Sequence, residues 1–552
     1  MSINRISNDK VPKTKPSNIL SEYIDSLIAP VKNDGLNTFI TTEVEPISHI
    51  PCSHLSEIEI NLKTNEVDVT QIQDSFIHLT IDAELIINFN TLPVIDASIA
   101  DGVFLFVGLK NSTDIIRGYS IKHRGMTVTN TLQTEGTMES FVTNLYKPKG
   151  EKFNRKQVHT LWRNAHLFDT SVCGRYISYA EIKEAYDAAN NQDITIKIPI
   201  DITIPIDDIL VFSGMSDYHN AVFGVLRIVF NLNKEVFVFC QVNPIASSKT
   251  MAKRYDRQAD FDAVHKKWSL SYEKYNHGFS QFGTQAKCIS TLRPTGSGDG
   301  SAFPTILFTD TRVTMRYFTV TKCRTVISGY RASPQTLNEI ASMSNKRPKA
   351  VFAQKVETHQ FQQRATSTGL NISQNIPLRY VTDFMLLFPS SGEQLTCFKN
   401  PMLHMLALNV QSRNIPDKQI ATIGAAFYQM QLNATGLDGL FEIDDEVEDA
   451  LTIPRSDGTQ KLEDHTDLTN FAMIHQVERN NSSGITFDGL NTKGQNTSIT
   501  LKANPIYQSA ADIYCGTNPV PPILITVSDT YWLFSALNGG TAMYVVDQDF
   551  SA

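Results

Sequence analysis

The sequence predicts an all-β protein built of two sandwich domains, and three observations carry that prediction. Apolar residues recur at every second position in segment after segment, clusters of turn residues separate those segments, and 552 residues exceed what one core normally covers. A period of two returns side chains to one face of an extended strand, whereas a helix repeats at 3.6.

The chain opens on a polar stretch with Lys10, Lys13 and Lys15 between Pro12 and Pro16, which reads as a mobile arm. Leu20, Tyr23, Ile24, Leu27 and Ile28 then fall at helical spacing, and Pro30 ends the run. This short helix is expected to pack under the body, because its polar face lacks the Lys/Arg enrichment of helices that lie on membranes. Strand patterns follow in "EIEINL" (57–62), "FIHLTIDAELIINF" (76–89) and "GVFLFVGL" (102–109). A helix is predicted from Ser178 to Asn190, opened by a capping box of Ser178 and Glu181.

The plainest strand is "ITIKIPIDITIPIDDILVFSG" (194–214), with isoleucine at 194, 196, 198, 200, 202, 204 and 206. Its length predicts one very long strand or two joined at a bend, with the isoleucine row inward. Pro199 and Pro205 cannot donate to a ladder and place it at an edge or a bent crossing. In "VLRIVFNLNKEVFVFCQV" (225–242) the central Asn-Leu-Asn-Lys reads as a hairpin turn.

Between 246 and 300 the character changes: a charged, helix-prone stretch leads into "RPTGSGDGSAF", with Gly296, Gly298 and Gly300. Four regions are expected: an arm and short helix at 1–45, a first β domain at 46–245, a linker at 246–300 and a second β domain at 301–552. Strands resume in "VTMRYFTVTKCRTVI" (313–327), "AVFAQKVETHQF" (350–361), "NIPLRYVTDFMLLF" (375–388), "NTSITLKANP" (496–505) and "PPILITVSDTYWLF" (521–534), and Ser333-Pro334 opens a short helix. Lys418 to Leu432 fits helix or strand. "LVFSGM" (210–215) and "ITFDGL" (485–490) echo each other and hint at duplication.

Composition narrows the function. A net charge of -8 and a pI near 5.9 argue against coating nucleic acid through its phosphates. No run approaches the roughly 18–20 apolar residues of a membrane span, and the start lacks the apolar core of a signal peptide, so synthesis in a cytosolic compartment is expected. Seven scattered cysteines form no CxxC pair and indicate neither a zinc ribbon nor a disulfide framework. Sequons such as that at Asn111 carry no meaning without secretion.

Chemical motifs are sparse. "GSGDG" lacks the GK[ST] ending of a phosphate loop and reads as a linker. His49, Cys52 and His54 form the one compact His/Cys group, without a second cluster to complete a metal site. Glu442, Asp444, Asp445, Glu446, Glu448 and Asp449 read as a solvated loop, although paired carboxylates also suit a glycosidase. Lys253, Arg254, Arg257, Lys266 and Lys267 alternate with acids as a surface face does. No catalytic, cofactor-binding or metal-binding residue is assigned. A carbohydrate-binding or glycoside-hydrolysing sandwich is the alternative that the acidic loop keeps open.

The order "IPIDITIPIDDILVFSGM…VLRIVFNLNKEVFVFCQVNP" with "IPLRYVTDFMLLFP…GLNTKGQNTSITLKANPIY…PPILITVSDTYWLF" resembles the major capsid proteins of Mavirus-type virophages and Polinton/Maverick elements. The likeness covers most of the chain through fold-bearing stretches. It implies a double jelly roll, two eight-stranded sandwiches side by side, and no enzyme. It further implies homotrimeric, pseudo-hexagonal capsomers tiling an icosahedral shell around double-stranded DNA, in a virion assembled in the host cytoplasm. Neighbouring capsomers, penton and minor capsid proteins and a viral maturation protease are the implied partners, without sequence-specific nucleic-acid binding. Long inserts at 111–175 and 433–480 would form exterior towers. The chain ends soon after its last apolar strand, as a mature or truncated form would.

Overall fold

A computed structural model of the chain describes residues 36–89, 104–130, 136–146, 174–189, 193–242, 280–281, 311–363, 370–389, 395–396, 398, 403–410, 413–420, 472–477, 489–492, 497–505, 520–537 and 540–545. The arm and first helix, the basic run at 253–267, "GSGDG" and the acidic loop at 442–449 lie outside these residues.

The first body begins with β1 (Leu36–Val44), β2 (Cys52–Ser53), β3 (Ile58–Asn61) and β4 (Val69–Phe89). It continues through β5 (Phe104–Gly108), β6 (Ile116–His123), β7 (Met126–Asn130), α1 (Gly136–Tyr146), β8 (Gly174–Ser178), α2 (Tyr179–Ala188) and β9 (Ile194–Pro205). β10 (Asp217–Tyr218), α3 (Asn220–Phe223), β11 (Leu226–Leu232), β12 (Val238–Val242), β13 (Ser280–Gln281) and β14 (Thr311–Ala332) complete it. The second body comprises α4 (Pro334–Lys346), β15 (Lys349–Gln360), β16 (Leu370–Asn375), β17 (Val381–Leu387), β18 (Leu403–Val410) and β19 (Arg413–Ile420). β20 (Met473–Gln476), β21 (Ser498–Pro505), β22 (Ile523–Ser535) and β23 (Thr541–Val545) follow.

Strand order defines the architecture. In the second body one sheet runs β15-β22-β17-β20, with β23 added beside β22, and the other runs β16-β21-β18-β19. Counting β15 to β22 as strands one to eight, these are the orders 1-8-3-6 and 2-7-4-5, the two interleaved Greek keys of a jelly roll. The first body repeats the scheme with several strands broken in two. Its long sheet is β1-β14-β4-β10 with β9 also on β4, and the opposing layer is two sheets in series, β3-β11-β6-β7 and β13-β12-β5-β8. The chain is a double jelly roll.

Local sequence explains the elements. In β9 the even-numbered isoleucines are buried while Thr195, Lys197, Pro199 and Asp201 are exposed, so one face enters the core and the other meets solvent. β9 is a single twelve-residue strand that pairs with β4 from Ile194↔Ile87 to Pro205↔Phe76. Among the described residues its other side carries no strand, the edge position its prolines predict. Ser178 caps α2 by accepting the Glu181 N–H, and Ser333 caps α4 by accepting the Thr336 N–H, with Pro334 in the first turn.

The echo between the halves has a structural counterpart. Gly214 precedes β10, which pairs with the start of β4, and Gly489 precedes Leu490, which bridges to Val381 at the start of β17. Both glycines sit where a Cβ would collide with backbone, that of Phe352 and that of Tyr380 respectively.

Four expectations change. The hairpin expected at Asn231–Lys234 is instead a step within one long strand: β11 pairs with β6 and β12 with β5, without a ladder between β11 and β12. The partner is interrupted at the same level by a 3-10 turn at Ser112–Ile115, and the Asn233 N–H bonds the Ile115 carbonyl across the gap. The expected divisions at 45 and 300 also move. β14 pairs along its length with β4 and β1, so 311–332 closes the first roll and 36–44 belongs to it. β12 before the 246–300 region and β14 after it both belong to the first roll, and of that region the described residues 280–281 form β13, which pairs with β12. Finally, 116–130 forms sandwich strands and α1 is buried, so this part of 111–175 is not an exterior tower. Of 433–480, the described part, 472–477, contains β20 of a central sheet. Of the segment left open, 418–420 ends β19 and the remainder lies outside the described residues.

Candidate functional site

The chemistry of the described residues concentrates where the two rolls meet. Trp532 on β22 belongs to the core of the first roll: it stacks on Phe212 at 6.5 Å and on Phe534 at 5.5 Å, and its indole N–H donates to the Val211 carbonyl at 2.9 Å. In the reverse direction, Met138 and Val142 on α1 enter the core of the second roll, and Phe141 meets Phe398 edge-on at 5.0 Å. Each roll thus lends apolar side chains to the other's core.

The opposite side of α1 is polar and equally buried. Glu139 is 5% exposed and accepts the Tyr119 hydroxyl at 2.8 and 3.1 Å and the Leu210 N–H at 2.9 Å. Ser140 donates to Asp114 Oδ1 at 2.7 Å, and the Asn111 N–H reaches Asp114 Oδ2 at 3.1 Å. The Asn111 side chain donates to Thr113 and Ser140 at 2.8 and 3.0 Å. Asn111, read in the sequence as an idle sequon, is 4% exposed and caps the 3-10 turn. A cavity of about 20 Å³ beside the cluster is lined by Lys110, Asp114, Asn144 and Thr396 among others.

Burial pushes the Glu139 carboxyl up to about 7 and that of Asp114 up to about 6, against hydrogen bonds that favour ionisation. Burial, reinforced by Glu139, also holds the Tyr119 and Tyr544 phenols above their ordinary value. The arrangement joins carboxyls to neutral donors inside protein and acts as a clamp between elements.

The sequence's compact His/Cys group is dispersed by its strand. Cys52 lies opposite Val320 on β14, and the His54 ring packs on Phe318 at 5.1 Å, with burial lowering its pKa. Among the described residues no group of three or more His, Cys, Asp or Glu is placed to hold a metal, and no helix is long and apolar enough to cross a membrane. The acidic and basic runs lie outside those residues. Asp114, Glu139 and Trp532 went unmarked in the sequence. The available signal was a single acid in "GTMESFVTNLY", a segment otherwise without charge.

The outer surfaces of the two rolls differ. Outside the long sheet of the first roll runs a polar ladder: Thr80 donates to Asp201 at 2.7 Å, Arg316 and Tyr317 reach Glu84 at 3.1 and 2.8 Å, and Arg324 pairs with Glu43 at 2.6 Å. On the second roll, neighbouring β15, β22 and β23 align Phe352↔Tyr531↔Val545 and Ala350↔Leu533↔Met543, with Phe352 and Met543 exposed.

No protein-family model matches the sequence, and no curated protein matches it. Solved structures do align. A chain of the Sputnik virophage is 9% identical over 99% of this chain and 94% of that one, at a TM-score of 0.47. The mavirus major capsid protein is 11% identical over 92% and 90%, at 0.42, and the Faustovirus major capsid protein 9% identical over 90% and 90%, at 0.43.

Proposed function

We propose that this chain is a structural, non-enzymatic major capsid protein whose homotrimers form pseudo-hexagonal capsomers in an icosahedral shell around double-stranded DNA. The observation that carries the reading is the pair of 1-8-3-6/2-7-4-5 sandwiches in one chain, each inserted into the other's core. Three such chains around a threefold axis present six similar sandwiches, which is the geometric requirement for a tile that packs with hexagonal neighbours. The sequence resemblance to virophage and Polinton/Maverick capsid proteins points the same way. In this reading the virion is the site of action, host cytoplasm the site of assembly, and neighbouring capsomers, penton and minor capsid proteins and a maturation protease are the partners. Native mass and electron microscopy of the purified protein test it: a trimer with pseudo-hexagonal outline is expected, its interface exceeding ~2,000 Å² as obligate interfaces commonly do. A monodisperse monomer at micromolar concentration overturns it.

A further inference from the structure

Glu139 is the one charged residue of α1, and its surroundings come from both rolls. Tyr119 on β6 and the Leu210 N–H hold it from the first roll. Tyr544 on β23 of the second roll lies within its electrostatic reach and itself donates to the Gln354 carbonyl at 3.1 Å. Beside Glu139 on α1, Ser140 and Thr137 donate to the Asp114 carboxylate and carbonyl, so two buried acids attach the same helix to the first roll while Met138 and Val142 attach it to the second. We propose that this junction is a proton-dependent latch: with Glu139 and Asp114 protonated the rolls are held as one block, and ionisation of the two acids drives α1 from the interface and loosens one roll from the other.

The reasoning is electrostatic. Both oxygens of each carboxyl accept hydrogen bonds, which favours the ion, but an ion buried beside a phenol, a hydroxyl and amides forfeits its hydration, and that burial outweighs the hydrogen bonds. Among the described residues, the other titratable groups packed around α1 do not supply a compensating cation to Glu139. Lys110, ahead of the 3-10 turn, acts on Asp114, and the Ile206–Asp208 turn adds a further buried acid, Asp208. β15 brings Lys355, Glu357 and His359, where Glu357 pairs with both Lys355 and His359. The native value for Glu139, about 7, exceeds its ordinary 4.5. The closed junction is therefore most stable at acid pH and loses stability as pH rises through that interval, because the closed form then holds protons that the open form releases.

Hydrogen exchange of α1 and of β22 around Trp532 in the full-length assembly, followed from about pH 5.5 to about pH 8.5 and corrected for intrinsic exchange, reads the latch. For each proton released on opening, the opening constant is expected to rise by up to roughly tenfold per pH unit below about 7 and to level off above it. Glu139→Gln should remove most of that slope, Asp114→Asn a smaller part, and the double variant all of it. A wild-type slope near zero, or a slope that survives in the double variant, overturns the proposal. Should the variants fail to fold, infrared difference spectra of the wild-type protein replace them. Loss of a buried carboxylic-acid C=O band in step with rising exchange supports the latch, and exchange that changes without that loss overturns it.

Discussion

β9 in the first roll and β17 in the second belong to sheets of the same strand order, yet β9 buries every second residue from Ile194 to Ile204 and β17 buries all seven. The difference follows from what covers each sheet. The long sheet of the first roll has a core on one side and the polar ladder of Thr80, Asp201, Glu84 and Arg316 on the other. The central sheet of the second roll has its own partner sheet on one side and α1 with Leu210 from the first roll on the other. Sheets covered on both faces read as near-continuous apolar runs, and "FMLL" (384–387) is such a run, with Thr382 and Asp383 buried beside it, where "ITIKIPIDITIP" alternates. The topology is duplicated; the covering is not.

Substitution on adjacent residues breaks or sharpens this contrast. Ile202→Asp should abolish folding, since it removes a fully buried side chain and adds a carboxylate without a partner, together worth more than about 5 kcal/mol. Its neighbour Thr203→Asp should stay within about 1 kcal/mol of wild type. In β17 the asymmetry should vanish: Phe384→Asp and Met385→Asp should both prevent folding. Soluble yield and melting temperature read all four, and tolerance of either β17 variant would contradict burial on two faces.

A smaller effect tests the mutual insertion of the rolls. Trp532→Ala should cost about 3–5 kcal/mol, the range for a large buried aromatic, and should lower the stability of the first roll although the residue belongs to the second. Limited proteolysis that cut only the second roll would argue against a shared core.

The smallest effect compares the helices. Ser178→Ala and Ser333→Ala each remove one cap and should each cost about 1 kcal/mol by denaturant midpoint. Neither should change oligomeric mass, because the caps serve only the ends of α2 and α4.

Local chemistry made much of the fold legible. The isoleucine row, the alternation in "FIHLTIDAELIINF" and the Ser178 and Ser333 caps follow from side-chain period and from the donors left over at a helix start, which depend on residues a few positions apart. The candidate site was less legible. α1 attracted no attention because a burial pattern of four polar residues, Thr137, Glu139, Ser140 and Thr143, has meaning only once β6 and the 3-10 turns deliver their partners.

Residue period and turn chemistry sufficed to declare strands, their inward faces and two β bodies, since each depends on neighbours in the chain. Which strand lies beside which does not. Asn-Leu-Asn-Lys between two apolar runs suits a hairpin locally, and only the matching interruption at Ser112–Ile115 in the partner keeps β11 and β12 in one line. β14 follows the Gly-rich segment yet closes the first roll, where Thr41 meets Ser328 at 3.2 Å across a sequence separation of 287. Pairing at that distance is set by closing one common core, where the whole buried surface counts at once and no local pattern records the choice.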